Sequence, residues 1–195
     1  DDITNMILRT NTIDSLMIFT DRGKMYRLLV NDIPVGTNVS VGQSIKSLVA
    51  MDTDENPAVI YSIYRDTDAK YVFFTTKNGL VKKTTLEEYV KTKKKTGIAA
   101  ISIKESDELV SVCLVKDEPM ILLTKNGYGI KFSSMEIGAT SRATSGVKGI
   151  TINPDDEVIA ALPLRHDTDA IAIISETGLG KKFSSSELPM QKRAG

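Results

Sequence analysis

No tryptophan, one cysteine and one histidine occur among the 195 residues. A lone cysteine excludes a disulfide framework and a cysteine-rich metal site. Cys113, inside LVSVCLV, reads as a small buried apolar side chain. His166 lies in the polar stretch RHDTD, with no second histidine or nearby cysteine to complete a zinc site, and reads as a surface loop residue. No window approaches the roughly 18 uninterrupted apolar residues needed to cross a bilayer. The first residues, DDITN, have neither the basic start nor the apolar run of a signal peptide, so the expected setting is cytoplasmic and no membrane partner is expected. Net charge is absent too: 25 lysines and arginines face 25 aspartates and glutamates. Overall charge therefore gives no reason to expect a polyanionic partner, and the distribution must decide.

What the chain has is an internal repeat. SLMIFTDRGKMYR, KYVFFTTKNGLVKK, PMILLTKNGYGIK and DAIAIISETGLGKK share one template: an apolar run, Thr or Ser three places before a glycine, and Lys or Arg four places after it. The template positions are Thr20, Gly23 and Arg27; Thr76, Gly79 and Lys83; Thr124, Gly127 and Lys131; and Ser175, Gly178 and Lys182. The glycines are 56, 48 and 51 residues apart. Each motif predicts a hairpin, at residues 15–30, 70–85, 119–133 and 169–184. Asn78-Gly79 and Asn126-Gly127 predict tight turns with positive φ at both residues, while Asp21-Arg22-Gly23 and Glu176-Thr177-Gly178 fit looser loops. A polar loop follows each hairpin and carries a second recurring glycine, at Gly42, Gly97, Gly146 and Gly195.

Two further apolar runs complete a unit, as in IAAISI then ELVSVCLV. Four short strands per repeat of about 50 residues is the pattern of propeller-type blades. The runs are continuous more often than alternating, which predicts strands covered on both faces. No segment has a convincing helical period. The fold class expected is all-β, a single unit over residues 1–195. One large β-sandwich is the competing architecture, and it leaves the regular spacing unexplained.

Basic residues recur just after the hairpin glycine and in the long polar loop. The second repeat supplies Lys82, Lys83, Lys91, Lys93, Lys94 and Lys95; the third Lys131, Arg142 and Lys148; the fourth Lys181, Lys182, Gln191, Lys192 and Arg193, with Gln191 as a polar member. The first offers only Lys24, Arg27 and Lys46, while its loop VGTNVSVGQ has no basic residue. Acids gather elsewhere, at Asp52, Asp54 and Glu55, at Asp107 and Glu108, and at Asp155 to Glu157. If the blades are equivalent, the basic positions share one rim and suit a polyanion lying along it. Nothing resembles a recognition helix or a set of base-stacking aromatics, so contact with duplex DNA without sequence readout is expected. A propeller that binds protein partners, and a catalytic propeller with carboxylates in its central channel, are the competing readings.

NGLVKKTTLEEY, NGYGIKFSSMEI, SRATSGVKGI, TGLGKKFSSSEL and DELVSV resemble the blade motifs of the C-terminal domain of the bacterial DNA gyrase A subunit, with topoisomerase IV supplying the close counterpart. The resemblance covers nearly the whole chain. It implies a β-pinwheel, a propeller-like disc of four-stranded blades that exchange a strand with their neighbour, whose basic outer rim bends duplex DNA. The hallmark gyrase loop has Gln, two basic residues, two glycines, a basic residue and glycine. QKRAG, Gln191 to Gly195, approaches it with Ala194 in place of the first glycine, which leans the resemblance toward gyrase. That family domain has about six blades; four hairpins here imply part of a larger protein, with an open or incomplete ring. The resemblance further implies a non-catalytic part of an ATP-dependent type II topoisomerase. Its partners would be duplex DNA, the gyrase B subunit, and the rest of the gyrase A subunit. No small-molecule substrate and no cofactor or metal are expected in this segment, because ATP and magnesium would act on other domains. Tyr26, Tyr64 and the other tyrosines read as core residues.

Overall fold

The computed structural model describes residues 6–63, 67–92, 96–166 and 169–195. Tyr64, Lys93, Lys94 and Lys95 therefore lie outside the described residues. Four hairpins organise the chain: β1 (Ser15–Thr20) with β2 (Lys24–Leu29), β4 (Tyr71–Thr76) with β5 (Leu80–Thr85), β8 (Pro119–Thr124) with β9 (Gly129–Ser133), and β12 (Ala170–Ile174) with β13 (Gly180–Ser184). A third strand pairs antiparallel with the first strand of each of the first three hairpins: β3 (Pro57–Ile63), β7 (Leu109–Val115) and β11 (Val158–Pro163).

The fourth strand of a blade is borrowed. β6 (Ile98–Ala99), from the second repeat, pairs with β2, and β10 (Val147–Lys148), from the third, pairs with β5. The two sheets thus run β3-β1-β2-β6 and β7-β4-β5-β10. The apolar run IAAISI contributes two residues of strand to the neighbouring blade; Ala100 and Ile101 then enter the core between the two blades. Among the described residues helix is confined to single turns, α1 (Ile45–Leu48), α2 (Glu87–Val90) and three short 3₁₀ segments.

All four hairpins use one turn. The glycine N–H donates to the carbonyl of the template Thr or Ser at 2.9–3.1 Å, and the next N–H donates to that residue's side-chain hydroxyl at 3.1–3.2 Å. The hydroxyl three places before the glycine therefore has a structural cause. Gly23, Gly79, Gly127 and Gly178 have φ of 77°, 79°, 85° and 83°, while Asn78 and Asn126 do not have positive φ. The expected tight Asn-Gly turns are corrected to the same three-residue loop with a left-handed glycine that the other two repeats adopt. The acidic turn of the blade caps it: Asp107 Oδ1 accepts from Asn78 N at 2.9 Å and Asp156 Oδ1 from Asn126 N at 3.0 Å.

The core lies between blades, and strand alternation feeds it from both sides. On β4, Phe74 packs toward the first blade with Phe19, Tyr89 and Ile101, and Phe73 packs toward the third with Met120, Ile130 and Phe132. Phe19 and Phe74 meet edge to face with centroids 5.5 Å apart. The third strands also touch across blades: Tyr61 donates to the Val112 carbonyl at 2.6 Å, and Ser111 and Cys113 to that of Ala161 at 3.3 Å. Cys113 is accordingly buried. A sheet order that starts at these contacting strands leaves the borrowed strand on the far, outer edge.

Strand exchange can be read at the turn glycines. A Cβ on Gly79 would stand 2.9 Å from Ile150 Cγ2 and 3.1 Å from its carbonyl oxygen, whereas one on Gly127 would meet nothing within 4 Å. Gly127→Ala should cost about 1 kcal/mol for the left-handed backbone alone. Gly79→Ala should cost at least about 1 kcal/mol more, as a lower urea midpoint; equal losses would mean that the borrowed segment does not press on the turn.

Candidate nucleic-acid interface

The basic residues divide into two classes by position. In the first three repeats the cation four places after the turn glycine points inward and ties its blade to the next repeat's short helical turn or its flank. Arg27 Nη1 donates to the carbonyls of Val90 and Thr92 at 3.3 and 2.9 Å, and Nη2 to Ser15 Oγ at 2.9 Å. Lys83 Nζ donates to the Ser134 carbonyl at 2.9 Å, and Lys131 Nζ to the Ser185 carbonyl at 2.9 Å. Lys82, one place earlier, projects from the opposite face of β5 and donates to the carbonyls of Ala100 and Arg142, both at 2.6 Å.

Lys82 and Lys83 are 1% and 5% exposed. Their ammonium groups are also held over the rings of Phe74 and Tyr71, 5.4 and 4.7 Å from the centroids. The expectation that these lysines line an outer belt is corrected: a strand covered on both faces turns both lysines inward, and their donors are used on backbone carbonyls. Arg27 and Lys131, half-buried, are committed in the same way. Lys181 and Lys182 stand at the equivalent places of β13 but are exposed, Lys181 resting over Phe183.

The second class sits in the loops, and each loop lies along the outer strand of the preceding blade. Lys83 and Ala139 form a parallel bridge, Thr140 N donates to the Lys83 carbonyl at 2.9 Å, and Val147 and Lys148 then pair with Val81 and Leu80. The QKRAG loop repeats this one blade on: Met190 bridges Lys131, and Gln191 N donates to the Lys131 carbonyl at 2.8 Å. Acidic groups of the preceding blade anchor both loops. Glu88 holds Arg142 at 3.4 Å, and Glu136 accepts from Arg193 N at 3.1 Å. The Arg193 guanidinium is turned onto the Lys148 carbonyl at 2.9 Å. Ala194, at the hallmark's glycine position, has φ of 67°, a left-handed backbone that only glycine adopts without strain.

Lys148, Lys192 and Lys91 are exposed on these loops; Lys91 also pairs with Glu87 at 2.5 Å, one helical turn away. Lys148 and Lys192, with Lys181 and Lys182, form no ion pair among the described residues. Several cations away from the loops are matched with acids: Lys24 with Asp52 and Glu55, Lys70 with Asp117, Lys77 and Lys125 with Glu157, and Lys116 with Asp68; Arg22, Lys46, Lys104 and Arg165 form no ion pair among the described residues. The balanced charge thus separates in part: five lysines at turns and connections are paired with acids, while Lys148, Lys181, Lys182 and Lys192 are exposed without an acidic partner among the described residues. Among the described residues no group of histidine, cysteine or acidic side chains could hold a metal ion. Sequence reasoning missed the inward ties; the signal was the fixed place of the cation, one full strand beyond the glycine in every repeat.

Burial pulls the Lys82 pKa down from 10.5 to about 8. Between those values the unfolded chain keeps a proton that the native one sheds, so Lys82 makes stability rise with pH across that window. From pH 7.5 to 9.5 the native protein should gain about 2 kcal/mol relative to Lys82→Met, read as the difference between their urea-midpoint profiles. Parallel profiles would mean that Lys82 stays protonated in the fold.

The family profile described as "DNA gyrase C-terminal domain, beta-propeller" matches residues 14–56, 70–116, 118–165 and 169–195, one segment per repeat. The chain is 33% identical to the DNA gyrase A subunit of Lawsonia intracellularis over its whole length, which is 24% of that protein, so it spans about a quarter of such relatives. In structure it is similar to the C-terminal domain of DNA topoisomerase IV, with TM-score 0.83, 28% identity, and coverage of 94% of this chain and 57% of that one. It is also similar to a DNA gyrase A C-terminal domain, with TM-score 0.76, 26% identity, and coverage of 94% and 58%. Four hairpin repeats, two of whose sheets carry a borrowed strand, and these matches agree: the chain belongs to the DNA gyrase C-terminal domain family of β-propeller, or β-pinwheel, folds.

Proposed function

We propose that this chain is a non-catalytic DNA-bending part of a type II topoisomerase, within its gyrase-A-type chain. It holds duplex DNA along its outer edge through the loop cations, and presents the curved segment for strand passage during supercoiling. Duplex DNA and the remaining parts of a gyrase A and B assembly are the partners this reading requires, and a bacterial cytoplasm is its setting. ATP and magnesium would be handled on other domains.

One observation carries the reading: on successive blades the loops lie along the same outer edge, and Lys148 and Lys192 there have no acidic partner among the described residues. Lys91, exposed but paired with Glu87, lies at the start of the corresponding loop of the second repeat, to which Lys93, Lys94 and Lys95 belong by sequence. Uncompensated cations at repeated intervals suit phosphates and carry no base-specific information. Curving 20 to 30 base pairs costs of order 1 to 6 kcal/mol, which several such contacts can offset.

Salt dependence tests this. Each phosphate neutralised contributes about 0.9 to the slope of log affinity against log salt. In a mobility-shift titration on duplexes of unrelated sequence, Lys148→Ala with Lys192→Ala should lower that slope by about two units, equally for every sequence. Lys83→Met should leave the slope unchanged while lowering the urea midpoint. Absent or salt-indifferent binding would remove DNA as the partner and favour a protein-binding propeller. Loss of slope in Lys83→Met would return the strand lysines to the interface.

A further inference from the structure

Arg142 is held at both ends. Lys82 Nζ donates to its carbonyl at 2.6 Å, and Glu88 meets its guanidinium through a single contact, Nε to Oε2 at 3.4 Å. The loop backbone is fastened on either side as well: Thr140 N donates to the Lys83 carbonyl at 2.9 Å, and the Thr144 carbonyl accepts from Ser102 N at 3.0 Å. With the path fixed at residues 140, 142 and 144, the Arg142 side chain is the part that these bonds leave unfastened. It and the Glu88 side chain are 36% and 41% exposed, so the pair stands at the surface and not in the core.

The acid has a regular place in the chain. Asp32, Glu88, Glu136 and Glu187 each stand nine residues after a turn glycine. On the next blade Glu136 occupies the place of Glu88, yet it accepts from the backbone N–H of Arg193, whose guanidinium lies on the Lys148 carbonyl. Of these two loop arginines, only Arg142 has its guanidinium on a carboxylate among the described residues. Phosphate can outcompete that carboxylate: a half-exposed ion pair is weakly held in water, and a guanidinium binds phosphate through two parallel N–H bonds where Glu88 takes one.

We propose, on the DNA-bending reading above, that Arg142 is a further phosphate contact held in reserve by Glu88. When duplex DNA lies along the outer edge, the guanidinium leaves the carboxylate for a phosphate while Lys82 keeps the backbone in place. Glu88 thereby sets how much charge this edge of the second blade offers to DNA. Left beside the duplex, its carboxylate takes up a cation from solution, which offsets the counterion that Arg142 releases.

A double-mutant cycle in the salt titration tests the exchange. Glu88→Gln keeps the shape and removes the charge; it should steepen the slope of log affinity against log salt by about 0.9 and tighten binding about three- to tenfold at about 0.1 M salt. Arg142→Ala alone should change the slope by less than about half that amount, and in the Glu88→Gln background it should remove the whole gain. Glu136→Gln makes the same charge change one blade on but frees no arginine side chain, so it should gain less than half as much. Each variant alters exposed groups and should melt as the parent does. An unchanged or shallower slope in Glu88→Gln, with a parent that binds in a salt-dependent way, overturns this inference and leaves the DNA reading standing. So does an equal gain in Glu136→Gln, which would be bulk charge and not exchange, and so does a gain that survives Arg142→Ala. A parent whose binding is absent or indifferent to salt removes the DNA reading and this inference together.

Discussion

Burying both faces of a short strand is the constraint from which the rest of this structure follows. Blades of three or four strands are too small to hold a core of their own. Each strand therefore sends alternate residues into different interfaces, as Phe73 and Phe74 do on β4. Borrowing the outer strand links each blade to the next through backbone hydrogen bonds as well as through packing. The inward lysines add a third link: Lys83 and Lys131 meet carbonyls beside the next blade's 3₁₀ turn, which removes orphan acceptors and holds the blade spacing. Lys82 fastens the borrowed segment at Ala100 and the loop at Arg142 with one amine.

The same constraint determines which charges remain for a partner. Strand positions are consumed by packing, and the acidic turns cap hairpins or pair with nearby lysines. The loops that deliver each borrowed strand cannot be buried, because they run along the outermost edge. Cations placed there stay solvated and uncompensated, so a chain with no net charge still presents a basic edge. Glu88 and Glu136 sit beneath these loops as anchors for Arg142 and Arg193, which fixes the loop path without neutralising Lys148 or Lys192.

Much of this was legible in the sequence. The Thr–Gly–Lys template located all four hairpins, and continuous apolar runs indicated strands covered on both sides. Three things were not. Asn78-Gly79 suggested a tight two-residue turn, but the hydroxyl of Thr76 selects a longer loop in which only the glycine goes left-handed. The destination of Ile98–Ala99 cannot be read from local pattern, since pairing with β2 is a long-range choice; only the family resemblance implied exchange. The lysines of β5 were assigned to the surface on charge alone, although coverage of both faces already required them to be buried.

The division of lysines into internal ties and outer contacts is the central claim, and amine labelling read by mass spectrometry tests it directly. With and without duplex DNA, Lys82 and Lys83 should react slowly, because their amines are enclosed. Lys148 and Lys192 should react quickly in the free protein and be shielded when DNA is added. Rapid, DNA-sensitive labelling of Lys82 or Lys83, or indifference of Lys148 and Lys192 to DNA, would contradict the account.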